Sequence, residues 1–340
     1  MRSHATSPRP AIESKIRRAL PLLYSWYRRH HRPLPWRTRP TPYRTAVAEF
    51  MCQQTRITTV IPYYQRWMKL FPGWAQLARA SASRVLRMWE GLGYYRRARF
   101  LHSLARAVVR LPGRDLPPDP EFLQKLPGIG DYTAGAIASI AFGKPAPAFD
   151  GNVARVLGRL TARRGKDPNL PALRALAGRI VPRRNPGLHN QALMELGALI
   201  CLPKLPRCSL CPLRKACPSS QLLPSSSRLA LASSRLRPTS SHQSEFILVA
   251  RRQGRVWLTQ THPLGRWRGL SFLPTTLQKP HGKLALKIHY PFTRYMIHAA
   301  VYVVRQAPSQ WPGKWFSSKQ LRHATLPAPH RKILETLGIG

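Results

Sequence analysis

The hydrophobic period of the chain changes once, and this change constrains the fold more than any other feature. From about residue 11 to residue 216, apolar residues recur at three- and four-residue spacing between Pro and Gly breaks, which is typical of amphipathic helices. From residue 246 onward apolar and polar residues alternate, as they do in half-buried β-strands. The sequence therefore predicts a mainly α body followed by a small α+β domain.

The individual elements follow from the same spacing. In the body it predicts helices over 12–27, 43–54, 57–70, 83–89, 97–109 and 173–180. Beyond the change of period it predicts a hairpin of strands 246–252 and 256–260, a strand over 296–304 and a closing helix over 330–337. The segment between is rich in Ser and Pro, which indicates a linker. We therefore expect four parts: a basic tail 1–10, a helical domain 11–217, a linker 218–244 and an α+β domain 245–340.

The charge of the chain indicates its partner. There are 56 Lys and Arg residues against 12 Asp and Glu, a formal charge of +44, and such an excess favours a polyanion, foremost a nucleic acid. An arginine-biased genome with solvated surface residues is the alternative. The sequence has no apolar run of 18 residues, so we expect no membrane span. We further expect a cytoplasmic monomer, nucleoid-associated if the source is prokaryotic.

A tight turn in the middle of the body has the features of a phosphate-binding hairpin. Asp119 and Pro120 form a helix start, and the segment 127–130 (PGIG) separates this helix from a second one that Asp131 is expected to cap. Gly128 and Gly130 allow backbone amides to point outward beside the positive end of the second helix, which suits a DNA phosphate. An ordinary αα-hairpin, in which the glycines only turn the chain, is the alternative.

Four cysteines lie within 17 residues, at the spacing C-x6-C-x2-C-x5-C; they are Cys201, Cys208, Cys211 and Cys217. Thiols this close together are typical of a metal site, and tetrahedral thiolate sets suit either zinc or an iron–sulfur cluster. Two disulfides are a third possibility, which a cytosolic protein disfavours. Cys52 is separate, and we interpret it as a small buried apolar residue.

Two segments resemble a known superfamily. The segment 126–137 (LPGIGDYTAGAI), followed by 149–156 (FDGNVARV), resembles the helix-hairpin-helix DNA glycosylases. This resemblance implies a two-lobed helical body with a catalytic cleft and identifies Asp150 as the catalytic aspartate. Members that also cut the DNA strand carry a lysine nucleophile where this chain has Tyr132. Because tyrosine cannot form a Schiff base, the resemblance implies a monofunctional glycosylase.

Three further segments narrow the resemblance. The segments 34–37 (LPWR), 47–57 (VAEFMCQQTRI) and 91–96 (GLGYYR) are similar to the MutY adenine DNA glycosylase family. That family excises adenine opposite 8-oxoguanine or guanine in double-stranded DNA, which is therefore the expected partner. The cysteine spacing also resembles the family's [4Fe–4S] loop, which gives an expected iron–sulfur loop over 201–217.

The resemblance also assigns roles to residues. Glu49 would protonate the adenine ring, because burial among apolar neighbours raises a carboxyl pKa, and Asp150 would face the oxocarbenium ion. Asn152 would hold the region of Asp150, and Tyr132 would lie beside the sugar. The remaining assignments are Trp36, Arg37 and Glu195 to the adenine pocket, and Gln54 and Tyr94 to the base stack that adenine leaves on flipping.

The C-terminal region, including 265–274 (GRWRGLSFLP), resembles the Nudix-like domain of MutY proteins. A Nudix hydrolase needs several glutamates to hold magnesium, and this region has only Glu245 and Glu335. We therefore expect it to read 8-oxoguanine instead of hydrolysing a pyrophosphate. The family's Phe-Ser-His loop is Phe-Thr-Arg here, so Thr293 would supply the hydroxyl that contacts the lesion.

Two other functions remain open at this point. One is a thymine-mismatch glycosylase, because relatives of that kind can also carry tyrosine at the position of Tyr132. The other is a non-catalytic, iron–sulfur DNA-binding protein. The presence of both Glu49 and Asp150 in a chain with only 12 acidic residues disfavours the second.

Overall fold

The computed structural model describes residues 10–161, 169–222, 241–292, 295–308 and 311–339. The chain divides into two compact units, one built from Met1–Arg79 and Phe100–Leu236 and the other from Ala80–Arg99 and Arg237–Gly340. The units thus differ from a simple division along the chain, since residues 80–99 belong with the C-terminal region. No helix in the described segments is both long and apolar enough to cross a membrane.

The predicted helical region is helical in the structure, and each helix expected from the spacing is present within a few residues of its predicted bounds. The helices are α1 Pro10–His30, α2 Pro42–Cys52, α3 Ile57–Leu70, α4 Trp74–Arg79, α5 Ala82–Trp89, α6 Arg96–Val108, α7 Pro120–Gln124, α8 Asp131–Phe142, α9 Gly151–Thr161, α10 Leu170–Ile180, α11 Pro186–Leu199 and α12 Pro218–Leu222.

One core of the first unit joins the N-terminal helix to the helices around the middle of the chain. Apolar residues of α1, α9, α10 and α11 are buried together there, including Leu23, Leu157, Leu176 and Leu193. Burying such side chains contributes about 1.5–3 kcal/mol each. This core fixes α9, which begins directly after Asp150, against α11, which carries Glu195.

The hairpin α7–α8 departs from expectation at its cap. Asp119 accepts a hydrogen bond from the Glu121 amide at 3.0 Å, as a capping residue does. At α8, however, Gly130 occupies the N-cap position and Asp131 is the first helical residue. The expectation that Asp131 caps α8 is therefore wrong. Its carboxylate forms an ion pair with Arg174 instead.

Small residues let α8 approach its neighbours. A Cβ on Gly135 would lie 2.0 Å from the Pro147 carbonyl oxygen, so only glycine fits there. The buried Asn190 of α11 also holds this stretch of chain: its side chain accepts from the Ala148 amide at 3.1 Å and donates to the Ala146 oxygen at 2.8 Å. The segment that leads into Asp150 is thereby held in place.

The C-terminal part of the second unit is a mixed sheet with two helices. The sheet order is β4-β5-β1-β2-β6, with β3 paired to β1, and β1 and β5 are parallel while the other pairs are antiparallel. The predicted hairpin, strand and closing helix are all present. The elements are β1 Ser241–Arg252, β2 Arg255–Thr259, β3 Thr275–Thr276, β4 Lys283–Phe292, β5 Tyr295–Val304, β6 Gly313–Ser317, α13 Ser318–His323 and α14 Ala328–Thr336.

The ends of the expected linker are ordered elements. Residues 218–222 form α12, whose buried Ser219 donates to the Arg159 oxygen at 2.8 Å, and residues 241–244 are the first four of β1. The middle of the expected linker and most of the expected tail lie outside the described residues.

In the sheet, Glu245 is buried and forms an ion pair with Arg266 at 2.6 Å and a hydrogen bond with Tyr290. One of the two C-terminal glutamates is thus used for packing.

Candidate active site

One cavity of the first unit brings most of the expected site residues together. Its volume is about 730 Å³, within the range of about 300–1,000 Å³ that is usual for small-molecule pockets. Its walls come from α2, α8, α9 and α11, from the chain before α2 and from the segment that joins α2 to α3. Eight of the residues expected from the sequence line it: Trp36, Arg37, Glu49, Gln54, Tyr132, Asp150, Asn152 and Glu195.

Three of the other expected residues lie outside the cavity lining. Gly128 and Gly130 are at the turn between α7 and α8. Tyr94 belongs to the second unit, on a loop after α5. Thr293 lies outside the described residues, so its expected role remains a prediction.

Glu49 is one of three carboxyl groups that line the cavity. It lies on α2, where Thr41 caps the helix through a hydrogen bond from the Arg44 amide at 3.1 Å. Burial raises the pKa of Glu49 to about 7, and the negative charge of Asp150 adds to this, while a hydrogen bond with Tyr132 opposes it. A carboxyl group with such a pKa holds a proton near neutral pH and can release it to a substrate.

Asp150 is also buried, but it accepts two hydrogen bonds. It precedes α9 as its N-cap, and its two carboxylate oxygens accept from the Val153 amide and the Asn152 side chain, each at 2.8 Å. Burial keeps the pKa of Asp150 above its ordinary value, although these two donors oppose the rise and the positive helix end also favours the anion. Because the charge of Asp150 raises the pKa of Glu49 while two donors hold the Asp150 anion, Asp150 is the carboxyl group that ionises first.

Arg155 connects this pair to the cysteine-rich loop. Its guanidinium donates to the Asn152 side-chain oxygen at 2.8 Å, to the Gly197 oxygen at 2.8 Å and to the Cys201 oxygen at 2.8 Å. The packing is tight here, because a Cβ on Gly197 would lie 2.6 Å from the Cβ of Asn152. The orientation of Asn152 is therefore coupled to the start of the loop.

Glu195 is buried and forms ion pairs. Arg32 donates to both of its oxygens, at 2.8 and 2.9 Å, and Arg37 donates to one at 2.8 Å. Burial alone would raise the pKa of Glu195, but these two arginines outweigh it and lower the pKa to about 2. Of the three carboxyl groups in the cavity, Glu195 is thus an anion neutralised by arginines, Asp150 is the anion held by two hydrogen bonds, and Glu49 can carry a proton.

Tyr132 lies on α8, where the charges of both Glu49 and Asp150 act on its hydroxyl. Its hydroxyl contacts the Met194 sulfur at 3.1 Å and is hydrogen-bonded to Glu49. Burial, together with the charges of Glu49 and Asp150, raises the pKa of Tyr132 well above its usual value. This hydroxyl therefore stays protonated and acts as a neutral hydrogen-bonding group.

The four cysteines of the loop are free thiols, so the disulfide alternative is not realised. Cys201, Cys211 and Cys217 pack against the core described above. Burial raises the pKa of Cys208, Cys211 and Cys217, and the charges of neighbouring cysteines raise it further. Arg159 lies 3.2 Å from the Cys201 sulfur. Among the described residues no group of three or more His, Cys, Asp or Glu side chains is arranged to hold a metal ion.

At the hairpin turn the two glycines have different constraints. Gly128 has φ +75, and a Cβ there would lie 2.5 Å from Phe100 and 2.9 Å from Phe50. Gly130 has φ −92, and nothing lies within 4 Å of an added Cβ. In the part of the chain that the structure describes, the space beside Gly130 is therefore unfilled, next to the start of α8, where helical amides generally lack partners within their own helix.

These constraints predict different outcomes for two alanine substitutions. Gly128→Ala should lower the free energy of unfolding by about 2–4 kcal/mol, because a left-handed backbone and a crowded methyl group add their costs. Gly130→Ala should change it by less than about 0.5 kcal/mol. Equilibrium denaturation of both variants measures this, and equal effects would show that the turn is not constrained as described.

Three residues that complete the site were not identified from the sequence. Arg32, Arg155 and Met194 contact Glu195, Asn152 and Tyr132 respectively. Arginine is abundant in this chain, so an arginine at a particular position carries no signal by itself. Their partners become visible only when distant segments meet.

The chain is similar to proteins of known function. Residues 47–181 match the model of the HhH-GPD superfamily base excision DNA repair proteins. The adenine DNA glycosylase of Homo sapiens is 46% identical over 224 residues, which are 62% of this chain but 41% of that protein. The chain thus spans about two fifths of the human relative's length.

Bacterial relatives are covered more fully. The adenine DNA glycosylase of Mycobacterium tuberculosis is 39% identical over 210 residues, 61% of this chain and 69% of the relative. That of Buchnera aphidicola is 29% identical over 338 residues, 92% of this chain and 96% of the relative. Among solved structures, a thermostable thymine-DNA glycosylase superposes with a TM-score of 0.58 at 27% identity, covering 63% of this chain and all of that one.

Proposed function

Because this chain belongs to the adenine DNA glycosylase family, we propose that it excises adenine that is mispaired with 8-oxoguanine or guanine in double-stranded DNA. The observation that carries the proposal is the pair of carboxyl groups in one cavity, Glu49 with a pKa of about 7 and Asp150 stabilised as the anion by two hydrogen bonds. A stacked adenine is out of reach of both groups, so the base must be flipped into the cavity.

The reaction divides between these two residues. Glu49 gives its proton to a ring nitrogen of adenine, so that the electron pair of the breaking N-glycosidic bond leaves on a neutral base. The sugar becomes an oxocarbenium ion, whose positive charge Asp150 stabilises. Water then adds to the sugar carbon and loses a proton, which leaves an abasic site and free adenine.

The residues around the pair orient the substrate. Asn152 holds Asp150 through the 2.8 Å hydrogen bond, and Tyr132 keeps a neutral hydroxyl beside the acid. Trp36 stacks edge-on against Tyr64, with ring centroids 5.1 Å apart, and can form an apolar wall for the base. Arg37 and Glu195 supply polar groups whose positions their mutual ion pair fixes.

Tyr132 supports a reaction without strand cleavage. A lysine at this position could attack the sugar as an amine, whereas a phenol with a raised pKa cannot form a Schiff base. The product should therefore be an intact strand with an abasic site.

A duplex assay tests the function directly. The protein is incubated with a labelled duplex containing adenine opposite 8-oxoguanine, and the products are compared with and without alkali. We expect strand breaks only after alkali. Breaks without alkali would contradict the monofunctional assignment, and no breaks in either sample would contradict adenine excision.

A substrate panel separates the alternative function. Release of thymine from a G·T duplex, without release of adenine, would favour the thymine-mismatch glycosylase. The G·T duplex belongs in the panel because the solved thymine-DNA glycosylase shares the fold at 27% identity. The rates of adenine release opposite 8-oxoguanine and opposite guanine test whether the protein recognises the lesion. Equal rates would contradict recognition of 8-oxoguanine.

The pKa of Glu49 predicts a pH profile. Because the protonated acid is the active form, single-turnover adenine release should be fastest below pH 7. Above the pKa of about 7 it should fall about tenfold for each further pH unit. A rate that is constant between pH 6 and pH 9 would contradict the role of Glu49 as proton donor.

We further infer that Cys201, Cys208, Cys211 and Cys217 hold a [4Fe–4S] cluster. Four free thiols in one loop fit it chemically. The cluster would cross-link the loop. Lys204 and Arg207 of this loop are exposed and would then be available to bind phosphates of the DNA backbone.

Removal of one ligand tests the cluster without an activity assay. Cys208→Ser should reduce the iron content and the visible absorbance of the purified protein, and should lower its affinity for undamaged duplex. Cys52→Ser, which changes the cysteine outside the loop, serves as control for iron and absorbance. Unchanged iron in Cys208→Ser, or zinc in the wild-type protein, would contradict the assignment.

For the C-terminal sheet we propose a Nudix-like, lesion-reading role without pyrophosphatase activity. Glu245, one of the two glutamates there, is buried in its ion pair with Arg266 and is unavailable to magnesium. Thr293 is the residue proposed to contact 8-oxoguanine.

A further inference from the structure

The loop that carries Tyr94 is held in a strained conformation. Tyr94 has φ +49, and Gly91 and Gly93 beside it have φ +99 and +69. A left-handed backbone costs about 1–2 kcal/mol for a residue with a side chain, and such residues persist where surrounding contacts hold them. The Tyr94 side chain is 44% exposed. The loop therefore presents an aromatic ring outward, at a position that needs support.

Part of the support comes from Arg97 and Trp89. The buried Arg97 donates to the Leu92 oxygen at 3.2 Å and the Gly93 oxygen at 3.1 Å, and its guanidinium lies 5.4 Å from the Tyr94 ring centre. Trp89 donates to the Gly93 oxygen at 3.0 Å. These contacts satisfy the loop's carbonyl groups and stack a cation against the exposed ring.

The rest of the support comes from the C-terminal region. Arg331, on α14, forms a two-point ion pair with Glu90, which directly precedes the loop, with one of its hydrogen bonds at 3.1 Å. The same guanidinium donates to the Ala324 oxygen at 2.8 Å. A bidentate arginine fixes both distance and direction, so Glu90 is held to the chain that leads into α14.

Two further hydrogen bonds flank the loop. Directly after it, the buried Tyr95 donates from its hydroxyl to the Leu326 oxygen at 3.3 Å. Before it, Arg87 on α5 donates to the His323 oxygen at 2.8 Å. The loop is thus anchored at both ends to residues 323–331, which we call the docking segment.

We propose that the docking segment is a positioning element for Tyr94, so that the C-terminal region controls how readily adenine leaves the base stack. This rests on the proposed function, in which Tyr94 enters the stack that the adenine vacates. Exposed aromatic rings stack well on bases, and a ring that is already held in place pays less ordering entropy on binding. The C-terminal region would then contribute to base extrusion as well as to reading the opposite base.

The ion pair between Glu90 and Arg331 is the contact to test, because both side chains are partly exposed, at 15% and 27%. We compare Glu90→Arg, Arg331→Glu and the double variant that carries both changes. Each single reversal should slow single-turnover adenine release by about 10–100-fold, the effect of small misplacements in a site. The double variant restores the pair with exchanged charges and should recover to within about threefold of wild type.

Two matched variants separate positioning from other effects. Lys332→Glu makes the same charge change at the neighbouring, exposed position and should stay near the wild-type rate. Tyr95→Phe removes only the hydroxyl that contacts Leu326 and should slow release less than the reversals do. It also keeps the proposal testable if a charge reversal fails to fold.

Base extrusion is measured separately from excision. A duplex with 2-aminopurine beside the target adenine reports unstacking as a rise in fluorescence on binding, and this rise should shrink in Arg331→Glu and return in the double variant. If the wild-type protein gives a normal fluorescence rise but releases no adenine, the proposed function is wrong, while the positioning role is not contradicted. Equal rates for Arg331→Glu and Lys332→Glu, or a double variant no better than the single ones, would overturn the positioning role.

Discussion

Replacing Glu49 by Gln should lower the single-turnover rate of adenine release by about 10²–10⁴-fold, the usual contribution of a general acid. Glutamine keeps the size of the side chain and a hydrogen bond to Tyr132 but carries no transferable proton. The pKa of Glu49, about 7, makes this residue an effective acid near neutral pH. Rapid-quench measurement of abasic sites in a duplex with adenine opposite 8-oxoguanine gives the rate, and Glu121→Gln, on the exposed end of α7, is the control.

The same substitution should make the protein more stable at alkaline pH. Glu49 has a higher pKa in the folded state, about 7, than its ordinary value of 4.5. The folded state therefore binds more protons between these values, and stability falls as the pH rises from 4.5 to 7. At pH 8, Glu49→Gln should gain roughly 2–3 kcal/mol in free energy of unfolding. A destabilised variant, or a near-normal rate of release, would contradict the role given to Glu49.

Replacing Asp150 by Asn should lower the rate of adenine release by about 10²–10³-fold while leaving duplex binding largely intact. Asparagine is as good an N-cap as aspartate, so the hydrogen bond from the Val153 amide at 2.8 Å can persist and α9 should remain folded. What disappears is the negative charge that faces the oxocarbenium ion.

The comparison variant for Asp150 is Asp131→Asn. Asp131 is an exposed carboxylate at the start of α8, paired with Arg174, and its loss should leave release unchanged. Duplex affinity is measured for both variants by fluorescence anisotropy. If Asp150→Asn releases adenine at the wild-type rate, Asp150 does not stabilise the transition state, and the two-carboxylate mechanism fails.

Local pattern was sufficient for the helices and strands. Helix α3 has the predicted bounds, and α2, α5 and α6 differ from them by at most two residues, because amphipathic spacing reflects burial of one face. The two-residue turn at Gln253 and Gly254, both with positive φ, follows from the same local chemistry. The N-cap of α8 could not be predicted from local pattern, because Asp131 forms an ion pair with Arg174 on α10.

Grouping along the chain was also beyond local pattern. Residues 80–99 read as part of the helical body, yet they belong with the C-terminal region. Their attachment depends on Glu90 and Tyr95 meeting Arg331 and Leu326, more than 230 residues away, and no periodicity records such pairs.

Spacing and composition along the chain predicted the helical body, the α+β region and the scarcity of acids, and the resemblance to the glycosylase family indicated Glu49 and Asp150 as the catalytic pair. Only the tertiary structure decided that both carboxyl groups line one cavity, which of them holds the proton, and that Arg32, Arg155 and Met194 complete the site. A pKa depends on burial and on charges brought close by folding, and neither exists until distant segments pack together.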